Sequence, residues 1–95
     1  MTDSFREQEG NKKSVVLVEY PRKGSWAVGF ATKENTGEIK AKTNINLVNV
    51  FVPTTPNPTS GFLLMIPKDD LIYLDMTFEE ASKFIVSAGT SKPKS

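Results

Sequence analysis

Two runs in this chain are apolar at every position, residues 15–18 (VVLV) and 62–66 (FLLMI). Both are short, and turn formers bound them: residues 21–24 (PRKG) follow the first, and Pro67 stops the second. A run that is apolar on both sides of a pleat reads as an interior strand that needs cover on both faces. That need constrains the fold strongly, because only one segment, near the C-terminus, reads as an amphipathic helix. One helix covers one face. The sheet has to supply the rest by curling on itself. The expected class is therefore α+β: a curved, largely antiparallel sheet of four to five strands, closing towards a barrel, with one C-terminal helix.

The remaining segments fit that frame. Residues 15–20 and 25–32 flank the 21–24 turn as a hairpin. Within 25–32, Trp26, Val28 and Phe30 line one face and Ala27, Gly29 and Ala31 the other. The large face is expected to be core, with Trp26 and Phe30 as its anchors, while the small face lets another element approach closely. Residues 33–44 read as a mobile polar connection turning at Thr36 and Gly37. A third strand spans 45–52, where Asn46 and Asn49 interrupt the alternation and suggest a bulge. A fourth spans 62–66, and a short edge strand lies within 71–74. Thr77 and Glu80 form a capping box ahead of a helix over 78–88, with Met76 and Ala81 placed as a hydrophobic staple. Phe78, Ala81, Phe84, Ile85 and Ala88 make its apolar stripe, and Gly89 is the expected stop. One domain over 14–89 thus lies between disordered tails, 1–13 and 90–95.

Composition removes several function classes. The 95 residues carry 12 Lys+Arg against 11 Asp+Glu, a net charge of +1, which argues against nucleic acid as a partner. The chain has no Cys and no His, so thiolate nucleophiles, sulfur-based zinc sites and the commonest general base are missing. The remaining acid–base candidates are carboxylates: Asp69, Asp70 and Asp75 before the helix, and Glu79 and Glu80 in its first turn. Turns and helix N-termini favour such residues for structural reasons, so no catalytic residue is assigned. No metal or cofactor is expected. The apolar runs fall far short of the ~20 residues of a membrane-spanning helix, and the chain as given reads as soluble.

The most distinctive stretch is 53–61, PTTPNPTSG. Its three prolines fix φ and remove amide donors, while Thr54, Thr55, Asn57, Thr59 and Ser60 supply polar groups. This loop is the candidate interaction site, for a ligand, a peptide or a partner; a stiff crossover that satisfies its own backbone is the alternative. It has no Lys or Arg to hold a phosphate. Basic residues cluster at Lys12 and Lys13 and again at Arg22 and Lys23, and the latter pair is the candidate lipid-facing group.

Segments 16–24 (VLVEYPRKG), 27–32 (AVGFAT), 50–61 (VFVPTTPNPTSG) and 62–67 (FLLMIP) resemble the signature segments of domain-of-unknown-function family 502. That family includes the plant LIKE-COV and CONTINUOUS VASCULAR RING proteins and many bacterial membrane proteins. Leu74, Asp75 and Met76, then Glu80, Ala81 and residues 85–89, resemble its closing helix. The likeness covers about residues 14–89. It departs at Met65 and Ala88, where the family pattern implies Phe and Gly. The resemblance implies a membrane-embedded parent protein with two transmembrane helices before this domain, and a domain on the cytoplasmic side. It implies no activity. The expected role is a non-catalytic assembly or scaffold domain, with a protein partner or self-association. A ligand- or peptide-binding module that uses 53–61 is the alternative, and an enzyme that uses carboxylates is the remote one.

Overall fold

The computed structural model describes residues 14–91. The expected tail over 1–13, with Lys12 and Lys13, and residues 92–95 of the expected 90–95 tail lie outside the described residues; Thr90 and Ser91 are described and hydrogen-bond to Ser87. In chain order the elements are β1 (Ser14–Glu19), β2 (Trp26–Glu34), α1 (Glu38–Thr43), β3 (Leu47–Pro53), β4 (Gly61–Pro67), a 3₁₀ turn (Lys68–Asp70), β5 (Ile72–Tyr73) and α2 (Phe78–Val86). They form one sheet of order β4-β3-β2-β1-β5, antiparallel throughout. With α2 beside it, this is the expected α+β arrangement.

The connection from β4 to β5 shapes the sheet. The two strands occupy opposite edges, which in a flat sheet would stand four spacings or roughly 19 Å apart. Only the four residues 68–71 join them, and five Cα steps reach at most about 17 Å when fully extended. Three of those residues are coiled into the 3₁₀ turn, so the reach is shorter still. Register adds to the demand: Pro67 stands opposite Leu47, whereas Ile72 stands opposite Leu17 in a row that runs to Val28. The sheet must therefore curl and stagger. It remains open, because β5 contributes two residues and does not pair with the seven-residue β4.

Curling divides the core into two layers. On the concave side Val16, Val18, Ala31, Val48, Val50, Val52 and Leu71 bury one another without any helix, and Val16 and Val50 are 0% exposed. The small face of β2 makes room for this layer. A Cβ added at Gly29 would lie 2.6 Å from Val50 Cγ1 and 2.9 Å from the Phe51 carbonyl oxygen, so glycine is required for close approach. On the convex side α2 buries Ala81 and Ile85 against Val15 and Phe30, with Val28, Phe51, Leu74 and Met76 around them. The capping box forms as the sequence predicts: Glu80 N–H donates to Thr77 Oγ1 (3.0 Å), and Thr77 N–H donates to Glu80 Oε1 (2.9 Å).

Several expectations need correction. Residues 62–66 are not an interior strand. β4 is an edge, paired among the described residues with β3 alone, and Phe62, Leu63 and Met65 are 53%, 66% and 42% exposed. Trp26 is no core anchor. It shares a face with Phe30 but begins β2, at the end of the sheet, and is 48% exposed, while Phe30 beneath α2 is 7% exposed. The register irregularity places the extra residue in β2, between Ala31 and Glu34, and not in the third strand. Its partner Asn49 accepts from Asn35 Nδ2 at 2.8 Å. The polar 33–44 segment contains a helix, α1, whose residues include the good helix formers Glu38, Lys40, Ala41 and Lys42 and which left-handed Asn44 stops. Finally, α2 ends at Val86, before 88. Ala88 adopts φ +56 and Gly89 φ +85, and the Gly89 N–H donates back to the Phe84 carbonyl at 2.8 Å.

Two stability outcomes follow. Phe30→Ala removes a ring packed 4.9 Å from that of Phe78 and should cost roughly 3–5 kcal/mol in urea unfolding. Ala88→Gly relieves a left-handed alanine, offset in part by unfolded-state entropy, and should stabilise by about 0.5–1 kcal/mol in the same measurement.

Candidate functional site

The sheet brings the two candidate groups to one end. The β1–β2 turn closes with Tyr20 N–H donating to the Ser25 carbonyl (2.9 Å), and the loop over 53–61 closes with Thr54 N–H donating to the Ser60 carbonyl (2.8 Å). Tyr20 and Phe62, one beside each turn, have ring centroids 6.0 Å apart. Between the start of β2, the loop and the last turn of α2 lies a shallow cleft of about 340 Å³, lined by Trp26, Val28, Pro53, Thr55, Phe84 and Ala88 among others.

The loop's polar groups serve mainly the loop. The Thr54 hydroxyl donates to the Asn57 carbonyl at 2.6 Å and lies 3.0 Å from the Ser60 hydroxyl. Asn57 Oδ1 accepts from both the Thr59 N–H (3.2 Å) and the Thr59 hydroxyl (2.7 Å). These bonds replace amide donors that three prolines remove, and they hold a conformation the chain would otherwise leave. Of the five loop candidates, Thr55 alone has no side-chain hydrogen bond among the described residues, and it borders the cleft. The structure thus divides the set into four residues that build the loop and one that faces outward from its bonding.

Arg22 and Lys23 are exposed at the tip of the β1–β2 turn and form no ion pair among the described residues. Lys23 borders a recess that also holds Glu19, Asp69 and Asp70, so three carboxylates offset the basic pair near any anionic surface. Glu19 Oε2 accepts from the Gly24 N–H at 3.2 Å. The other carboxylates are dispersed. Asp75 and Glu79 are exposed, and Glu80 is committed to the cap. Among the described residues no three acidic groups converge on a position where they could hold a metal ion.

The sequence reading missed the surface of β4. Its signal was present: no residue over 61–67 is charged. On the convex side, Leu63 and Met65 extend from the sheet beside half-buried Phe51 and Asn49 and remain exposed. No helix among the described residues is long and apolar enough to cross a membrane.

A small curved antiparallel sheet with one core-packed helix, a self-bonded proline loop and an apolar edge strand defines a class of compact α+β domain. Within that class the chain belongs to the DUF502 family of proteins of unknown function, whose family model matches residues 1–60. It is similar to Protein LIKE COV 1 and Protein CONTINUOUS VASCULAR RING 1 of Arabidopsis thaliana, at 30% identity over 82 residues in each case. The match covers 86% of this chain but 31% and 30% of those two proteins, so the chain spans about a third of the length of these relatives. No solved structure matches it.

The division within the loop is testable. Thr54→Ala and Asn57→Ala each remove loop-building bonds and should destabilise by about 1 kcal/mol, whereas Thr55→Ala should stay within about 0.5 kcal/mol of the parent. Thermal unfolding of the three variants reads this order directly.

Proposed function

We propose that this domain is a non-catalytic interaction module, and that its docking surface is β4. The observation that carries the reading is the edge itself. A seven-residue strand with no charge leaves three large apolar side chains and one row of backbone groups uncovered. Edges of this kind are normally shortened, charged or covered, because they recruit other strands. The short span of this chain against its relatives supports a setting within a longer protein, where the surface meets another part of an assembly. In this reading that protein is membrane-embedded and the domain lies on its cytoplasmic side, as the family resemblance implies. Catalysis plays no part.

The second reading, a peptide- or ligand-binding module at the proline loop, draws support from the cleft beside Thr55, Trp26 and Phe84. The two readings separate under substitution. The double change Leu63→Lys with Met65→Lys alters exposed positions and should shift the melting temperature little, yet abolish association of the longer protein in chemical cross-linking. Trp26→Ala with Thr55→Ala should leave cross-linking intact. If cross-linking survives the β4 change and fails with the cleft change, the cleft is the functional surface and the β4 reading is wrong.

A further inference from the structure

We propose that the partner of β4 is the β4 of a second copy of this chain, paired antiparallel about a two-fold axis; the inference rests on the interaction-module reading and names its partner. Backbone phase is the first argument. The β3–β4 ladder runs without a shift from Leu47 opposite Pro67 to Pro53 opposite Gly61. At its ends Thr54 N–H donates to the Ser60 carbonyl and Lys68 N–H to the Asn46 carbonyl, each at 2.8 Å. Hydrogen-bonded and non-bonded pairs alternate in an antiparallel ladder, so Phe62, Leu64 and Ile66 direct their N–H and C=O groups to β3. Gly61, Leu63 and Met65 therefore present theirs at the free edge. Pro67, which has no N–H, falls on the same outward phase and removes nothing from β3.

Self-pairing uses this phase fully. A two-fold axis at Leu63 sets Leu63 against its own copy and Gly61 against Met65, so outward groups meet outward groups in about six hydrogen bonds. The same register sets Phe62 of one copy opposite Leu64 of the other and joins two five-stranded sheets into one. Charge permits it. A two-fold axis would bring any charge on β4 and its copy to the same short seam; β4 has none. The Lys68 just beyond the strand lies 3.5 Å from Glu34, which offsets its charge.

Closure at two follows from the other edge. β5 offers only Ile72 and Tyr73, so head-to-tail pairing of β4 with a neighbour's β5 would form a two-residue ladder. The isologous β4 contact is longer and consumes its own edge, which gives a dimer and not a fibre. Three partly exposed side chains and one strand edge amount to several hundred Å² per copy, at or below the lower end of specific interfaces. The isolated dimer should thus be weak and gain from tethering in a larger protein.

Sedimentation velocity and amide exchange on the 95-residue chain test this between about 10 μM and about 1 mM. The expected result is a reversible monomer–dimer equilibrium, in which Leu63 and Met65 amides exchange at least 10-fold more slowly at the top of the range. Phe62, Leu64 and Ile66 amides, already bonded to β3, should be protected at every concentration. Leu63→Lys should weaken the dimer at least 10-fold, and Met65→Pro, which removes only an outward N–H, should weaken it as much. A chain that is monomeric throughout, or a dimer in which Leu63 and Met65 amides exchange at the monomer rate, overturns the proposal. If the chain is monomeric while Leu63→Lys still disrupts cross-linking of the longer protein, self-pairing fails and the interaction-module reading stands. If neither measurement responds to Leu63→Lys, both fail.

Discussion

Four residues between β4 and β5 hold opposite edges of the sheet within reach of each other, and most of the structure depends on that tether. Because it cannot span a flat sheet, the strands coil, and their concave faces turn inward on one another. The valines of β1 and β3 then bury without a second helix, which explains how a domain with one core-packed helix covers an apolar run on both sides. Gly29 is part of the same constraint. Its missing side chain is the space that Val50 and Val52 occupy when β3 curls over β2.

The curl has a consequence for the surface. It brings β4 over the concave layer through Leu64 and Ile66, yet among the described residues leaves its outer backbone phase unpaired and its convex side chains Leu63 and Met65 exposed. Apolar area that remains uncovered after folding lowers solubility and favours association, and here much of it lies on a strand that ends in Pro67 and lacks charge. The proline loop matters to this edge. By satisfying its own hydroxyls and amides it holds the β3–β4 turn in one conformation, and so fixes which residues of β4 face β3 and which face out. The polar loop and the apolar edge are thus two parts of one device, with the loop setting the phase that the edge displays.

Membership in a family of unknown function leaves mechanism to the physics of the fold. The carboxylates are spent on a cap or dispersed at turns, and the basic pair at the β1–β2 turn stands near acidic neighbours. The apolar edge and the cleft beside Trp26 are two places among the described residues where apolar surface is exposed. An edge recruits through backbone geometry, which tolerates sequence change. A cleft recruits through side-chain shape, which does not.

Local chemistry was legible without coordinates. The capping box at Thr77 and Glu80, the turn at 21–24, the strands around 15–20, 25–32, 45–52 and 62–66, and the curled antiparallel sheet all follow from spacing, proline and glycine placement, and the shortage of helices. Such features depend on residues close in sequence, or on a simple count of faces against cover. The structure alone decided the exposure of each apolar segment. Residues 15–18 and 62–66 look alike as strings, yet β1 lies between β2 and β5 beneath α2, and β4 lies at the rim. Strand order is a long-range property, set here by a four-residue tether and a stagger in register that no local pattern encodes. Trp26 and Phe30 diverge for the same reason: they share a face, but only Phe30 lies under the helix. Sequence determined which residues form strands, turns and the cap; tertiary structure decided which strand was left with a free edge, because an edge exists only relative to neighbours.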